Sequence, residues 1–222
     1  MAVIRRTIDP YFPHPRDLRE AERALNHGSI LIFPTETVYG IGCLYSDLRN
    51  LQRIWTLKGR PARKPVALMF ASPERAVRFL RLSGWAERVV RHFLPAPLTI
   101  VCRPGEDVGL NSYVRSPEGT VGIRVPDHPV ALALLALVRA PLAVTSANRS
   151  GEPAPAHPKD IPPWREPDLL LLDAGQAGCG VASTVIRLHE EERRVEILRE
   201  GAIPAEEILR EVERLGADAG LH

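Results

Sequence analysis

"RDLREAERALNHGSILIFPTETVYGIG", residues 16–42, is the stretch whose reading decides the fold. Its first half places Leu18, Ala21 and Leu25 on one helical face, so a helix is predicted over Arg16 to His27, stopped by Gly28 at the C′ position. "SILIFPT" follows at once as a buried strand ending at Pro34. A helix that hands over directly to a buried strand sets up an α/β chain, and the same alternation continues to the end of the sequence.

Working outward, a second helix is predicted over Asp47 to Lys58, capped by Ser46 or Asp47, with Leu48, Leu51, Ile54 and Trp55 turned inward and Gly59 ending it. "SPERAVRFL" begins a third with Ser72 as N-cap and Pro73 at N1, and "WAERVVRHF" continues the helical pattern. Strands are predicted at Leu98 to Cys102 and Thr120 to Val125, then a helix at Pro129 to Arg139. Further strands follow at Pro141 to Thr145, Leu169 to Leu172, Ser183 to Leu188 and Val195 to Leu198. A last amphipathic helix, Pro204 to Leu215, directs Ile208, Leu209, Val212 and Leu215 inward. No linker interrupts the alternation, which reads as one α/β domain over residues 1–222 around a mixed sheet. The long proline-rich segment 148–167 leaves directly from the strand carrying "VTSAN" and reads as a lid or binding loop.

Composition sets the bounds on function. The chain has 222 residues, 45% apolar and 25% charged, with a net charge of +2, so any basic site is local rather than global. Its three cysteines are far apart and form no C-x-x-C pair, which argues against a zinc site or a disulfide framework. No secretion signal and no membrane span is legible, and a cytoplasmic location is expected. The Arg-over-Lys bias and the 21 prolines hint at a high-GC or thermophilic source.

Charge is concentrated in "KGRPARKP", residues 58–65, where Lys58, Arg60, Arg63 and Lys64 stand without an acid. Only three of the 29 basic residues are lysines and two fall here, which marks positions where a guanidinium would not serve. Elsewhere polar residues end apolar strands in "FPTETVYGIG", "GIRVP" and "VTSANRSG". Any one of Thr35, Ser146 or Asn148 is explained as the start of a turn. Three such strand ends together with a Lys-x-Arg segment point to a site. G-x-S-x-G, H-E-x-x-H and the P-loop pattern are all missing, and the seven histidines form no motif. What remains is cations and hydroxyls, an inventory for binding phosphates and carboxylates.

"FPTETVYGIG", "KGRPARKP", "PLTIV", "GIRVPDHP", "TSANRSGEP", "DAG" with "STVI", and "ILREGAI" resemble, in order, the motifs of the YrdC-like threonylcarbamoyl-AMP synthases. The likeness runs from about Ala24 to Ile203, leaving the helix at 204–215 beyond it, and suits the short, single-domain form. It implies a twisted mixed sheet flanked by helices and enclosing a deep basic cavity. It also implies a nucleotidyltransferase reaction in which L-threonine, bicarbonate and ATP give threonylcarbamoyl-AMP and pyrophosphate. Mg²⁺ would arrive through the ATP phosphates, with no protein metal site. A tRNA threonylcarbamoyl-transfer complex would use the product, weak binding of tRNA or double-stranded RNA is possible in this family, and no membrane is involved.

By the same resemblance, Lys58 and Arg60 would hold the triphosphate as the catalytic pair, assisted by Lys64. Thr120, Ser146, Asn148 and Arg199 would bind the nucleotide. Thr35, Arg124 and Ser183 would grip threonine, with Met69 in the same pocket where the family often has histidine. Ala96 replaces a usual glycine, Arg187 an aspartate and Glu200 a proline. Two rival readings are a non-catalytic double-stranded RNA-binding protein, disfavoured by only 5% aromatics, and a carbamoyl-adenylate-forming enzyme, whose zinc-finger cysteines are missing here.

Overall fold

The computed structural model of the chain describes residues 3–59 and 65–218. Ten strands are described: β1 (Ile4–Thr7), β2 (Ile30–Phe33), β3 (Gly40–Leu44), β4 (Ala67–Met69), β5 (Leu98–Cys102), β6 (Val121–Arg124), β7 (Leu142–Ser146), β8 (Leu169–Asp173), β9 (Thr184–His189) and β10 (Arg194–Arg199). Six α-helices accompany them: α1 (Pro15–Asn26), α2 (Leu48–Lys58), α3 (Pro73–Leu80), α4 (Gly84–Phe93), α5 (Pro129–Leu137) and α6 (Ala205–Asp218). The strands form one mixed sheet in the order β1, β8, β2, β3, β7, β4, β6, β5, β9, β10.

Local signals explain most boundaries. Asp47 accepts the Asn50 amide at 3.0 Å and caps α2, while Gly59 ends it at φ 56°. Ser72 accepts the Arg75 amide and Pro73 opens α3. His128 caps α5 through Nδ1, which accepts the Val130 amide at 3.2 Å. The "WAERVVRHF" pattern is a separate helix rather than a continuation, because Arg81 turns left-handed at φ 52° and breaks the chain between α3 and α4.

Period-two alternation sorts the sheet residues onto two faces. Ile30, Ile32, Ile41, Cys43, Leu68, Ile100, Ile123 and Ile186 face a core closed by α2, α3, α4 and α6. Leu31, Phe33, Leu142, Val144, Leu170 and Leu172 face the other way, under α1 and α5. There Leu18, Ala21 and Leu25 of α1 meet Val130, Leu134 and Leu135 of α5, each buried leucine contributing about 1.5–3 kcal/mol. The predicted inward faces need two corrections: Leu48 and Leu209 are exposed, because each lies on the outer edge of its helix and the sheet is already covered by its neighbours.

These two helices cover only part of their face. Met69 and Val144 belong to the α1/α5 cluster and also border an open hollow beyond it, so core and cavity share one side of the sheet. The segment 148–167 is tied down rather than hinged free. Tyr39 N donates to Pro155 O at 2.9 Å, Ala177 N donates to Ala156 O at 2.8 Å, Trp164 is buried in the main core, and Arg53 pairs with Glu166. Its tip, residues 149–153, is exposed throughout, while Pro155 and Trp164 are buried.

Candidate active site

The hollow exists because the residues that face it are small. On β5, β6 and β9 the bulky Ile100, Ile123 and Ile186 go to the helix-covered core, leaving Thr99, Val101, Gly122 and Val185 on the opposite face. Gly40 and Ala67 complete a floor with no side chain larger than a methyl there, and the resulting cavity measures about 290 Å³. Its walls include Thr35, Met69, Thr120, Arg124, Ser146, Ser183 and Arg199. The structure therefore gathers these seven sequence-predicted site residues around one space.

At one end lies Arg124, the last residue of β6, paired in register with Met69 of β4. Its Nη2 donates to Glu36 Oε1 at 2.8 Å, to the Thr37 hydroxyl, and to Thr35 Oγ1 at 3.4 Å. The Arg124 and Glu36 side chains are 10% and 12% exposed, so this is a nearly dry ion pair. Arg124 Nε and Glu36 Oε2 are buried and hydrogen-bonded to nothing among the described residues. The hydroxyl of Thr35 donates to Val38 O at 2.7 Å and lies 2.8 Å from that of Thr37.

The turn that carries these three residues is held from behind. Gly178, Cys179 and Gly180 donate their amides in turn to the carbonyls of Thr35, Glu36 and Thr37, at 3.1, 3.0 and 2.9 Å. Gly178 has to be glycine: a Cβ there would lie 1.7 Å from Glu36 O. Tyr39 fixes the other side of the turn. Its hydroxyl donates to Gly175 O at 2.7 Å and accepts from Ala174 N at 3.1 Å, and burial pushes its phenol up to about 12. The "TETVY" and "DAGQAGCG" segments thus form one rigid unit.

A second polar cluster comes from the β5, β9, β10 row, where Thr99 pairs with Val185 and Val185 with Arg199. Thr99 and Ser183 hydroxyls meet at 2.9 Å, and Arg199 Nη2 donates to Ser183 O at 2.6 Å. Burial, and then the neighbouring Arg124, pull the Arg199 guanidinium below its usual value. Two cations therefore face one small space, the arrangement expected where anions are to be held. Thr120 joins from the β6 approach, its hydroxyl 2.8 Å from that of Ser116. Met69 adds an apolar wall.

Lys58 and Asn148 sit differently from the rest. Neither lines the cavity. The Lys58 ammonium is 2% exposed as a residue and donates to Ser146 O, Asn148 O and, at 3.3 Å, Asn148 Oδ1. The Asn148 amide donates to Arg149 O and Glu152 O at 2.9 and 2.7 Å, closing the turn that follows β7. The pair fixes the strand end that presents Ser146, and Ser150 N returns to Lys58 O at 2.8 Å. Arg60 and Lys64 lie outside the described residues.

Sequence reasoning passed over Glu36 and the Gly178–Gly180 brace. An acid inside the otherwise apolar "IFPTETVYGIG" was a signal, since a carboxylate in a buried turn needs a cationic partner. The glycines flanking Cys179 were a weaker one. Among the described residues no group of three or more histidine, cysteine, aspartate or glutamate side chains is arranged to hold a metal ion, and no helix is long and apolar enough to cross a membrane.

The family model of Sua5, YciO and YrdC, described as telomere recombination, matches residues 23–201. The threonylcarbamoyl-AMP synthase of Pyrococcus abyssi is 36% identical over 193 residues, covering 86% of this chain and 56% of that protein. That of Bacillus subtilis is 32% identical over 211 residues, with 92% and 59% covered. The chain thus spans less than two thirds of the length of either relative. Among solved structures, P. abyssi Sua5 complexed with L-threonine superposes with a TM-score of 0.80 at 33% identity, over 96% of this chain and 61% of that one. Escherichia coli YciO superposes at 0.82 with 24% identity, over 93% of this chain and all of that one, a likeness of fold.

Proposed function

The chain belongs to the Sua5, YciO and YrdC family, and from that premise we propose that it is a threonylcarbamoyl-AMP synthase, using L-threonine, bicarbonate and ATP. The observation that carries the reading is the cavity whose polar lining includes Thr35, Arg124, Ser183 and Arg199, hydroxyls and guanidinium groups, with no histidine, cysteine or lysine among its described lining residues. Such a set suits a reaction whose nucleophile comes with the substrate. The threonine amine adds to carbon dioxide or bicarbonate, one carbamate oxygen then attacks the α-phosphorus of ATP, and the bond to the β-phosphate breaks to release pyrophosphate. The protein's task is to position the partners and offset negative charge.

In this reading Arg124 forks onto the threonine carboxylate, with Thr35 and Ser183 beside it and Met69 as the apolar wall. Thr120, Ser146 and Arg199 hold the nucleotide. Arg60 and Lys64 are assigned to its phosphates on sequence alone. Lys58 contributes by fixing the β7 end, holding Ser146 and Asn148 in place. Magnesium enters as part of the MgATP substrate, coordinated by phosphate oxygens. The product, an activated carbamoyl group, calls for a transferase that passes it to an adenosine of tRNA, a step this chain leaves to a partner.

The test is pyrophosphate release from ATP by the purified chain. Release that requires both threonine and bicarbonate is expected. Turnover only when carbamoyl phosphate replaces those two would overturn the reading in favour of carbamoyl-adenylate formation. No turnover under either condition, with double-stranded RNA binding instead, would make it a binding protein.

A further inference from the structure

We propose that Thr99 is a substrate-binding residue whose hydroxyl donates to the carbamate formed on the threonine amine, holding it between Arg124 and Arg199. The inference rests on the reaction proposed above and adds to it a residue and the group that residue reads.

Position comes first. Thr99 lines the cavity together with Ser183, Arg124 and Arg199, so its side chain borders the space a ligand would fill. β5 pairs with β6 at Ile100 and Ile123, which makes Thr99 and Arg124 the next residues on neighbouring strands. On its other side Thr99 pairs with Val185, and Val185 with Arg199. The order across the sheet is therefore guanidinium, hydroxyl, apolar side chain, guanidinium, at strand spacings of about 4.8 Å. In the reading above Arg124 takes the amino-acid carboxylate and Arg199 the nucleotide. What comes between them is the group that joins the two substrates, the carbamate.

The hydroxyl protons give the direction. Arg199 Nη2 can only donate, and it lies 3.4 Å from Ser183 Oγ. Ser183 then has its own proton to give, and the acceptor beside it is Thr99 Oγ1 at 2.9 Å. The Thr99 hydroxyl has no further partner among the described residues, so its proton stands at the end of a chain that begins on a cation. Such a chain polarises each O–H along it toward a negative acceptor.

Charge points the same way. Glu36 offsets Arg124, whereas the described partners of the Arg199 guanidinium are the Ser183 oxygens. None of the described lining residues is an acid. An ammonium is unfavourable in such a space and an anion is favoured. The free amine bonds to the carbon of carbon dioxide, gives one proton to water, and becomes a carbamate carrying the negative charge that offsets Arg199.

Thr99→Val removes the hydroxyl and keeps the methyl that lies over Gly122, where an added Cβ would be 3.5 Å from Thr99 Cγ2. The test follows pyrophosphate release by the full chain as bicarbonate is varied in carbon dioxide-depleted buffer, at saturating threonine and MgATP. Threonine binding is measured alongside by calorimetry, without ATP or bicarbonate. Thr99→Val is expected to raise the KM for bicarbonate about tenfold or more, with threonine affinity within about twofold of wild type. Thr99→Ser, which returns the hydroxyl, is expected to restore the bicarbonate dependence. An unchanged KM for bicarbonate in Thr99→Val overturns the inference. So does threonine binding that weakens in step with turnover, the sign of a residue that only supports Ser183. Should Thr99→Val not fold, Thr99→Ala is read against the same two results. Wild-type protein that releases no pyrophosphate with threonine and bicarbonate overturns the functional reading as well, whereas an active wild type matched by Thr99→Val sinks this inference alone.

Discussion

Lys58 is stored almost out of water, and what makes that tolerable is the set of oxygens around its ammonium, the carbonyls of Ser146 and Asn148 among them. Lys58→Met keeps the stem but removes the donor, leaving those carbonyls unsatisfied. It is expected to lower stability by about 1.5–3 kcal/mol in urea unfolding and to reduce pyrophosphate release with it. Loss of activity at unchanged stability would instead assign the ammonium to the phosphates. His128 carries a second prediction. Burial, opposed by Asp127, holds its imidazole below the ordinary 6.5, and the neutral ring is the form whose Nδ1 accepts the Val130 amide. The unfolded chain therefore takes the proton more readily. This contribution is complete above about pH 6.5 and is lost as pH falls through the lower folded value. The urea midpoint is expected to drop between about pH 7 and pH 5, and His128→Asn, which caps without titrating there, is expected to flatten that drop. An identical slope in the variant would show that His128 is not its source.

Among the elements, the turn after β2 and the glycine-flanked segment before β9 stand or fall together. Gly178→Ala forces a methyl against Glu36 O, so a loss of about 1–3 kcal/mol is expected, accompanied by weaker threonine binding because Thr35 and Glu36 move with their carbonyls. Threonine affinity unchanged in a destabilised Gly178→Ala would separate the brace from the site. The elements legible in the sequence were those with strong local signals. β2 and β5 are bounded as their apolar runs indicate, and α2 and α3 begin at their capping residues. β1 was illegible because it is an exposed edge strand, "IRRT", with no apolar pattern to detect. β4 is three residues long and β3 is interrupted by two glycines, so both depend on their neighbours for definition. Thr35, Arg124 and Ser146 were legible as polar residues at the ends of apolar strands and Met69, Thr120, Ser183 and Arg199 through the family resemblance, whereas the Glu36–Arg124 pairing joins residues 88 apart, a distance that local pattern does not cross. The segment 148–167 read as a lid because proline count says nothing about where Trp164 is buried.

At the scale of the molecule, the sheet interleaves distant parts of the chain. β8 lies between β1 and β2, with Ile4 opposite Leu170 and Ile30 opposite Leu169, and β9 lies beside β5, with Leu98 opposite Thr184. A fragment ending at residue 150 would lack β8, β9 and β10, and it is expected to show no cooperative unfolding transition. A folded fragment would contradict the view that the sheet is one unit. The same strand order has a consequence in time. At roughly 5–20 residues per second of synthesis, on the order of 10–40 s separate the appearance of β1 from that of β10. For most of that interval the apolar strand "ILIF" has no β8 to pair with, and Thr35 and Glu36 have no brace. Pairings of such long sequence separation also form slowly once the whole chain is present. The site, which needs Arg199 at the end of β10, is therefore completed only late in synthesis, with α6 alone still to come, and until β8 emerges β2 offers an unpaired apolar edge.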